Sequence, residues 1–289
     1  IATAPTGLLI PPSNVMITFS LVSGGTSVAA LFMAGYIPGA LWALACMLVV
    51  YIYAKKAGYR SQTKLTGKEK FNAFIQALPC LLLIIIVIGG IIAGVFTATE
   101  GSVVAVVYSL LLSIYGYKSM KWKDLPEIFR ASAEMTGIII FLIGVSSIMS
   151  WVMAFTNIPT MVSNGLLSIS SNKYVILLMI NIILLVVGTF MDMTPATLIF
   201  TPIFLPVCTA LGMNTIHFGI MLIFNLCIGT ITPPVGTTLF VGVKVGGVKI
   251  ETVFKHLLPY FFAIIVVLML VTYIPQLSLW LPGLMGYVS

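Results

Sequence analysis

The sequence is poor in charged residues, which occupy only 7% of its 289 positions. Soluble globular domains carry about 25% charged residues, so this shortage excludes an ordinary soluble domain. The chain instead contains long apolar runs, and one of them, Phe71–Phe96, has no charged residue. Apolar runs of this length are typical of transmembrane helices. We therefore expect an all-α polytopic membrane protein that lies in a lipid bilayer.

Cysteine and histidine are also scarce, with four and two residues respectively. The cysteines lie in apolar stretches without CxxC spacing, which favours packing residues over a disulfide or a transition-metal site. Asp192 has no acidic partner at a similar depth, and no Ser/His or His/Glu metal motif is present. An intramembrane hydrolase needs such groups, so we do not expect an enzyme with catalytic residues or an organic cofactor.

The basic residues are concentrated in two segments between apolar runs, which explains the net charge of +7 without nucleic-acid binding. Basic loops mark the cytoplasmic side of a membrane protein, so we expect both segments to lie in the cytoplasm. The first segment contains Lys55, Lys56, Arg60, Lys64, Lys68 and Lys70, and the second contains Lys118, Lys121, Lys123 and Arg130.

Adjacent prolines occur twice in otherwise apolar sequence, within Gly7–Pro12 and within Gly229–Pro234. Proline has no backbone N–H, so it cannot donate a hydrogen bond to the carbonyl group four residues earlier. The residue before a proline also disfavours the helical conformation. We therefore predict a broken helix at each site, with freed carbonyl groups at Gly7 and Gly229. The absence of a side chain at these two glycines would also let other backbone approach closely.

The two proline sites belong to an internal repeat with a shift of 222 positions. In this ungapped frame Gly24–Gly25 falls on Gly246–Gly247, and Phe32 falls on Phe254. Counting membrane crossings from the basic loops makes the two broken segments run in opposite directions. Inverted repeats with broken helices are typical of secondary transporters, whose binding sites lie near the bilayer midplane.

Two short apolar runs, Tyr174–Val187 and Ala196–Ala210, flank the stretch Gly188–Pro195. A helix of about 15 residues extends roughly 22 Å, whereas the hydrocarbon core is about 30 Å thick. Neither run spans the core comfortably alone. We therefore predict a re-entrant hairpin whose tip, Gly188–Pro195, lies inside the membrane against protein or a cavity.

These patterns divide the chain into seven segments. The stretch Asp124–Met135 is amphipathic and is predicted to lie at the membrane interface as a connecting arm. The segments are a first broken helix (1–27), scaffold helices with a cytoplasmic loop (28–123), the connecting arm (124–135), a membrane helix with an outer loop (136–172), the re-entrant hairpin (173–212), a second broken helix (213–250) and a C-terminal scaffold helix (251–289).

The broken helices and the hairpin tip offer two kinds of ligand. Freed carbonyl groups and the Thr232 hydroxyl supply oxygen atoms, which small hard cations prefer. Helix N-termini near Thr194 and Val235 would present N–H groups that attract an anion. Asp192 is the only acidic residue at this depth, and an ionisable residue inside a membrane is a candidate functional residue. The alternative interpretation is that the double prolines merely kink packing helices.

Four stretches, "GLLIPPSNVMI", "FMAGYIPG", "GTFMDMTPATLIFTPIFLP" and "GTITPPVGTTLFV", together resemble the large membrane subunit of tripartite ATP-independent periplasmic (TRAP) transporters. The similarity covers essentially the whole chain. It implies an ion-coupled elevator carrier in the bacterial cytoplasmic (inner) membrane. It also implies sodium-coupled import of an organic acid anion, of the sialic acid or C4-dicarboxylate class. The implied partners are a small four-helix membrane subunit and a periplasmic binding protein that delivers the solute.

The resemblance also implies which residues bind sodium. One site would use Gly7, Ile10 and Pro12, and the other would use Gly188, Gly229, Thr232 and Pro234. The candidate residues for the solute are Ser13, Asn14, Asp192, Thr194, Gly236 and Thr237. In the family a first hairpin rich in Ser and Gly precedes the motif at Gly7. We expect that hairpin to lie upstream of Ile1, which leaves the first sodium site incomplete in this sequence.

Two other transport functions remain open from the sequence. One is a stand-alone ion-coupled carboxylate carrier of the same superfamily that needs no binding protein. The other is a passive channel. Uptake against a gradient, measured with and without a binding protein, separates these possibilities.

Overall fold

The computed structural model describes residues 1–58, 66–170 and 172–287. These residues contain helices and no strand, as expected for an all-α protein. Two residues of the first basic segment, Arg60 and Lys64, lie outside the described residues. The α-helices are α1 (Thr6–Leu9), α2 (Asn14–Val22), α3 (Val28–Ala57), α4 (Gly67–Ile92), α5 (Ala98–Leu111), α6 (Leu125–Phe155), α7 (Ile158–Ile169), α8 (Lys173–Phe190), α9 (Met193–Ala210), α10 (Thr215–Thr230), α11 (Thr237–Gly246), α12 (Ile250–Tyr273) and α13 (Gln276–Leu284).

Seven helical segments in the described part of the chain are long and apolar enough to cross a membrane. This confirms the prediction of an all-α polytopic membrane protein. The seven are Val28–Ala57, Gly67–Ile92, Ala98–Gly116, Trp122–Met153, Lys173–Phe190, Met193–Ala210 and Ile250–Tyr273.

The chain divides into two compact units. One unit contains Ile1–Lys55 and Leu142–Ser289, and the other contains Lys56–Phe141. The sequence-based division differs, because it grouped α3 with residues 28–123 and set α12 apart as a scaffold helix. In the structure most of α3 and all of α12 belong to the same unit as both broken helices. The functional roles given to the predicted segments stay predictions.

Both predicted helix breaks are present. α1 ends at Leu9 and α2 begins at Asn14, while α10 ends at Thr230 and α11 begins at Thr237. Ile10, which precedes the first proline pair, is extended with φ −87° and ψ 125°, as expected for a residue before proline. The Pro11–Pro12 and Pro233–Pro234 peptide bonds are both cis.

The internal repeat is visible in the order of the helices. After each break comes a short helix and then a long one, and α12 begins 222 positions after α3. Two equivalent residues also touch, since the Cys227 thiol donates to the Pro5 carbonyl oxygen at 3.7 Å across a separation of 222 residues. Residues related by a two-fold axis can touch each other only near that axis. The contact therefore supports a pseudo-two-fold relation between the two halves.

The hairpin helices are longer than predicted. α8 and α9 each contain 18 residues, and only Met191 and Asp192 separate them. The helix continues through Gly188 because a single glycine costs only about 1 kcal/mol in a helix interior. Pro195 is the third residue of α9, where its missing N–H is not needed for a helical hydrogen bond. The predicted eight-residue tip is therefore reduced to a two-residue turn.

The structure also corrects the region before the hairpin. The predicted connecting arm and the following membrane helix form one continuous helix, α6, with no break at Met135. The predicted outer loop contains a further helix, α7, which follows a turn at Asn157 in the left-handed conformation. Pro159 is the second residue of α7 and is tolerated in this first turn. A further unpredicted helix, α13, follows α12.

The core of the larger unit forms around α10. Every residue from Ile216 to Thr230 is buried, because α8, α9, α2 and α12 all pack against this helix. The fully buried Trp42 ring of α3 also lies 4.8 Å from the Phe224 ring. A helix that is apolar on all sides requires burial on all sides. α10 therefore lies at the centre of the larger unit, and both helices of the hairpin pack against it.

The smaller unit contains the α4–α5 hairpin. The Tyr108 hydroxyl of α5 donates to the Pro79 carbonyl oxygen of α4 at 2.8 Å. Thr97 caps α5, since its hydroxyl accepts from the Glu100 N–H at 3.2 Å while Glu100 accepts from the Thr97 N–H at 2.8 Å. This reciprocal arrangement is a capping box. It places Glu100 in the first turn of α5.

Candidate functional site

The hairpin and the second broken helix meet through two glycines. A Cβ atom added to Gly229 would lie 2.7 Å from the Gly188 Cα and still closer to the Gly188 carbonyl oxygen. A Cβ added to Gly188 would lie 3.3 Å from the Gly229 Cα. Only glycine at position 229 permits this backbone contact. The predicted close approach is therefore present at Gly229, and its partner is Gly188.

A hydrogen bond connects the hairpin to the second break. The Val235 N–H donates to the Thr189 carbonyl oxygen at 3.1 Å. The end of α8 thus reaches only as far as the break between α10 and α11. If α10 and α11 together cross the bilayer, the hairpin tip lies within it. α8 and α9 are each long enough to span, so the premise that neither run can cross the membrane is wrong, and the re-entrant hairpin stays a prediction.

The junction presents oxygen atoms to a possible cation. α8 ends at Phe190, so the Gly188 carbonyl group has no helical partner four residues later. The Thr232 hydroxyl donates to the Ile228 carbonyl oxygen at 2.6 Å, which orients its proton away and leaves its lone pairs available. The Gly229 carbonyl oxygen was predicted to be free, but it accepts from the Thr232 N–H at 3.0 Å and also faces the Ile231 N–H. Neutral oxygen atoms are the type of ligand that a small hard cation such as Na⁺ prefers. Pro234 lies next to Val235 at the same junction.

The first break packs on a different surface. The Leu9 carbonyl oxygen and the Ile10 side chain lie against α3, where Cβ atoms at Gly35 and Gly39 would collide with them. Pro12 is exposed. Nothing among the described residues lies within 4 Å of a Cβ placed on Gly7, so the close approach predicted there is not present.

Gly35 and Gly39 were not identified as site residues from the sequence. Their spacing forms a GxxxG pattern within an apolar helix, which is a known signal for close helix packing in membranes. The signal was therefore available. It does not by itself say which backbone approaches the glycines, and the tertiary structure assigns the first broken helix to that place.

All six candidate solute residues lie at the starts of three helices. They occupy the N-cap of α2, α9 or α11 or one of the first two positions of the same helix. None of the three N-cap residues makes a side-chain capping hydrogen bond. The first-turn N–H groups therefore lack the side-chain acceptor that usually satisfies one of them. The residues are Ser13, Asn14, Asp192, Thr194, Gly236 and Thr237.

The structure brings some of these helix starts together. The Thr189–Val235 hydrogen bond brings the ends of α8 and α10, and hence the starts of α9 and α11, to one junction. α2 packs along α9. Ser13 is 2% exposed, and its hydroxyl has no hydrogen-bond partner among the described residues, which suits a polar ligand at this position. Asp192 is exposed at the hairpin turn.

These features define the class of the protein. It is a multi-pass helical membrane protein built from two related halves, each containing a helix broken at a proline pair. The hairpin inserted before the second broken helix carries carbonyl oxygens and a helix N-terminus to the break. Such a construction is typical of secondary transporters.

Comparison with known proteins identifies the family. Residues 1–277 match the family described as "Tripartite ATP-independent periplasmic transporter, DctM component". The chain belongs to this family of transporter permeases, which are not enzymes. The match confirms the resemblance found in the sequence and indicates a multi-pass protein of the inner membrane.

Three relatives illustrate the range of similarity. The chain is 52% identical to the protein YgiK of Salmonella typhimurium over 98% of its length and 65% of the relative. It is 37% identical to the sialic acid TRAP transporter large permease protein SiaM of Vibrio cholerae, over 97% of the chain and 66% of the relative. It is also 37% identical to the C4-dicarboxylate TRAP transporter large permease protein DctM of Pseudomonas aeruginosa, over 97% of the chain and 65% of the relative. The chain thus spans about two thirds of the length of these proteins.

Proposed function

We propose that this chain is the large membrane subunit of a binding-protein-dependent transporter that imports an organic acid anion together with sodium. The observation that carries the proposal is the junction of Gly188 with Gly229 and of Thr189 with Val235. This junction brings together neutral oxygen ligands and the uncapped starts of α9 and α11. Family membership supports a transport function, and the geometry supports two ligands of opposite charge.

The proposed mechanism follows from the two kinds of ligand on one backbone segment. A bound sodium ion supplies positive charge that several oxygen ligands can share. The Gly188 and Gly229 backbone and the Thr232 hydroxyl would hold it at the junction. The N–H groups at the starts of α9 and α11 would bind the solute carboxylate. Because both sites fix the hairpin tip, each ligand raises the affinity for the other by the same factor.

The solute class is proposed from chemistry and from the relatives. Two relatives are named for sialic acid and for C4-dicarboxylates, and both kinds of solute carry a carboxylate group. Uncapped helix N-termini suit a carboxylate, since their N–H groups and dipoles favour negative charge. We therefore propose a carboxylate anion as the solute and do not choose between the two classes.

Family membership supports two proposed partners, which are a small four-helix membrane subunit and a periplasmic binding protein. We propose that the hairpin and the broken helices move together in an elevator motion, with Asp124–Met135 as the connecting arm. From Leu125 onward, this stretch forms the beginning of the continuous helix α6.

Proteoliposome uptake tests the proposed function. The full-length protein, its small subunit and its binding protein would be assayed with a panel of labelled carboxylates, with a sodium gradient or an equal potassium gradient. Accumulation that requires both the sodium gradient and the binding protein is expected. Sodium-driven accumulation without the binding protein would indicate a stand-alone carrier. Equilibration that is independent of sodium would indicate a passive channel and overturn the proposal.

A further inference from the structure

Two asparagines form a buried hydrogen-bonded pair between the hairpin and α10. Asn181 of α8 and Asn225 of α10 are both 0% exposed. The Asn225 side-chain amide donates to the Asn181 backbone carbonyl oxygen at 2.9 Å and to the Asn181 Oδ1 at 2.8 Å. Polar side chains inside a membrane protein require partners, and here the Asn225 amide finds both of its acceptors on Asn181 across the helix interface. The sequence analysis did not identify either residue.

The direction of this amide is determined by its surroundings. Exchanging the oxygen and nitrogen of Asn225 would place its Oδ1 against two acceptor oxygens, so only the observed orientation is favourable. The Asn225 Oδ1 is buried and accepts no hydrogen bond from the described residues. Asn225 therefore acts in this interface as a two-pronged donor to α8.

The pair is also anchored to a third helix. The Asn181 side-chain amide donates to the Leu177 carbonyl oxygen at 2.9 Å and to the Thr272 hydroxyl of α12 at 3.1 Å. The Thr272 hydroxyl in turn donates to the Leu268 carbonyl oxygen at 2.8 Å. Each hydroxyl and amide proton in this chain of bonds has an acceptor, so the arrangement holds α8, α10 and α12 in one relative position.

The pair lies on the same interface as the glycine contact. Asn181 precedes Gly188 by seven residues, about two helical turns, and Asn225 precedes Gly229 by four residues, about one turn. Apolar side chains alone define the register of two packed helices weakly, since their contacts are non-directional. A shift of one turn would bring a side chain other than hydrogen against the Gly229 backbone, where no Cβ fits. The directional bonds of Asn225 specify the register in which Gly188 meets Gly229.

We propose that Asn181 and Asn225 are positioning residues that hold the Gly188 carbonyl group and the hairpin tip at the cation site. Neither side chain is proposed to bind the ion. The inference rests on the proposed sodium-coupled function. In addition to the ligands themselves, these two asparagines then influence the affinity for sodium, although they lie between one and two helical turns from the proposed ligands.

The test compares Asn225→Leu with the unmodified transporter in proteoliposomes. The leucine keeps a similar volume but removes both donors to α8. Each interhelical hydrogen bond in a membrane is worth a modest amount, so the loss of two should raise the sodium concentration for half-maximal uptake about 10-fold. The KM for the solute at saturating sodium should stay within about two-fold, because the N-termini of α9 and α11 are unchanged. Asn225→Ser keeps one donor and should give an intermediate shift.

Thr201→Val is the matched control. Thr201 is buried in α9, and its hydroxyl has no hydrogen-bond partner among the described residues, so the variant removes a buried polar atom without breaking a bond. Its sodium dependence should match that of the unmodified protein. Size-exclusion profiles of all variants show whether they fold. If Asn225→Leu does not fold, the change in sodium dependence of Asn225→Ser tests the positioning role instead.

The outcomes separate this inference from the proposed function. If the unmodified transporter needs no sodium, the proposed function fails. If it needs sodium but the Asn225 variants keep its sodium dependence, only the positioning role fails. A similar loss of maximal rate in Asn225→Leu and Thr201→Val, with unchanged sodium dependence, would also reject that role in favour of general packing.

Discussion

Replacing Gly229 by alanine should disturb the proposed cation site. The added Cβ would lie 2.7 Å from the Gly188 Cα, whereas carbon atoms in favourable contact are about 3.5–4.0 Å apart. The colliding atoms belong to backbone and cannot rotate away. The hairpin must therefore retreat from α10 by roughly 1 Å. Overpacking of a tight interior costs about 1–3 kcal/mol.

The cost should fall on the state in which the hairpin is closed on α10. If that is the sodium-bound state, the sodium concentration for half-maximal uptake should rise roughly 10- to 100-fold in Gly229→Ala, since about 1.4 kcal/mol corresponds to a factor of ten. Gly188→Ala should give a smaller increase, because its Cβ would lie 3.3 Å from the Gly229 Cα, a distance that a small shift can relieve. The assay is sodium-dependent uptake in proteoliposomes.

Gly144→Ala in α6 is the control for this series. Nothing among the described residues lies within 4 Å of a Cβ at Gly144, and alanine is a better helix former than glycine. Its sodium dependence should be unchanged. If Gly229→Ala and Gly144→Ala have the same sodium dependence as the unmodified protein, the junction of Gly188 and Gly229 does not belong to the cation site.

Three further changes test other regions of the structure. Thr232→Ala should raise the sodium concentration for half-maximal uptake, because an oxygen ligand is lost, and Thr232→Ser should restore it; equal values for all three proteins would exclude the hydroxyl as a ligand. Gly35→Ala should destabilise the larger unit by about 1–3 kcal/mol, since its Cβ would collide with the Leu9 carbonyl oxygen, and a thermal unfolding temperature equal to that of the unmodified protein would contradict this. Thr97→Ala should lower the free energy of unfolding by about 1 kcal/mol, because the α5 cap is lost. The sodium dependence of uptake should stay unchanged, and unfolding and uptake measurements together check both expectations.

Local covalent chemistry made several features predictable from the sequence. The breaks after α1 and α10 follow from prolines that lack an N–H, and the extended conformation of Ile10 follows from its proline neighbour. The hairpin was predictable as two apolar runs around a Gly-Thr and Asp segment. Its length was underestimated, because Pro195 fits into the first turn of a helix and does not end one.

Two other elements were predicted wrongly, because polar residues in a segment do not by themselves prevent a helix. The outer loop predicted before the hairpin contains the polar stretch with Pro159, Asn164 and Asn172. In the structure most of that stretch forms α7, which packs against α9. Tertiary packing decides helix formation in such a segment more than propensity does. The predicted arm and the membrane helix form one continuous helix because no proline lies between them.

The sequence by itself determined the class of protein, the positions of the two breaks and the repeat that relates them, since these depend on composition and on bonds between near neighbours. Only the tertiary structure decided which backbones meet. It placed Gly188 on Gly229, the first break on Gly35 and Gly39, and Asn225 on Asn181. Helices with apolar surfaces can pack in many registers, and the choice among them depends on contacts between residues far apart in the chain.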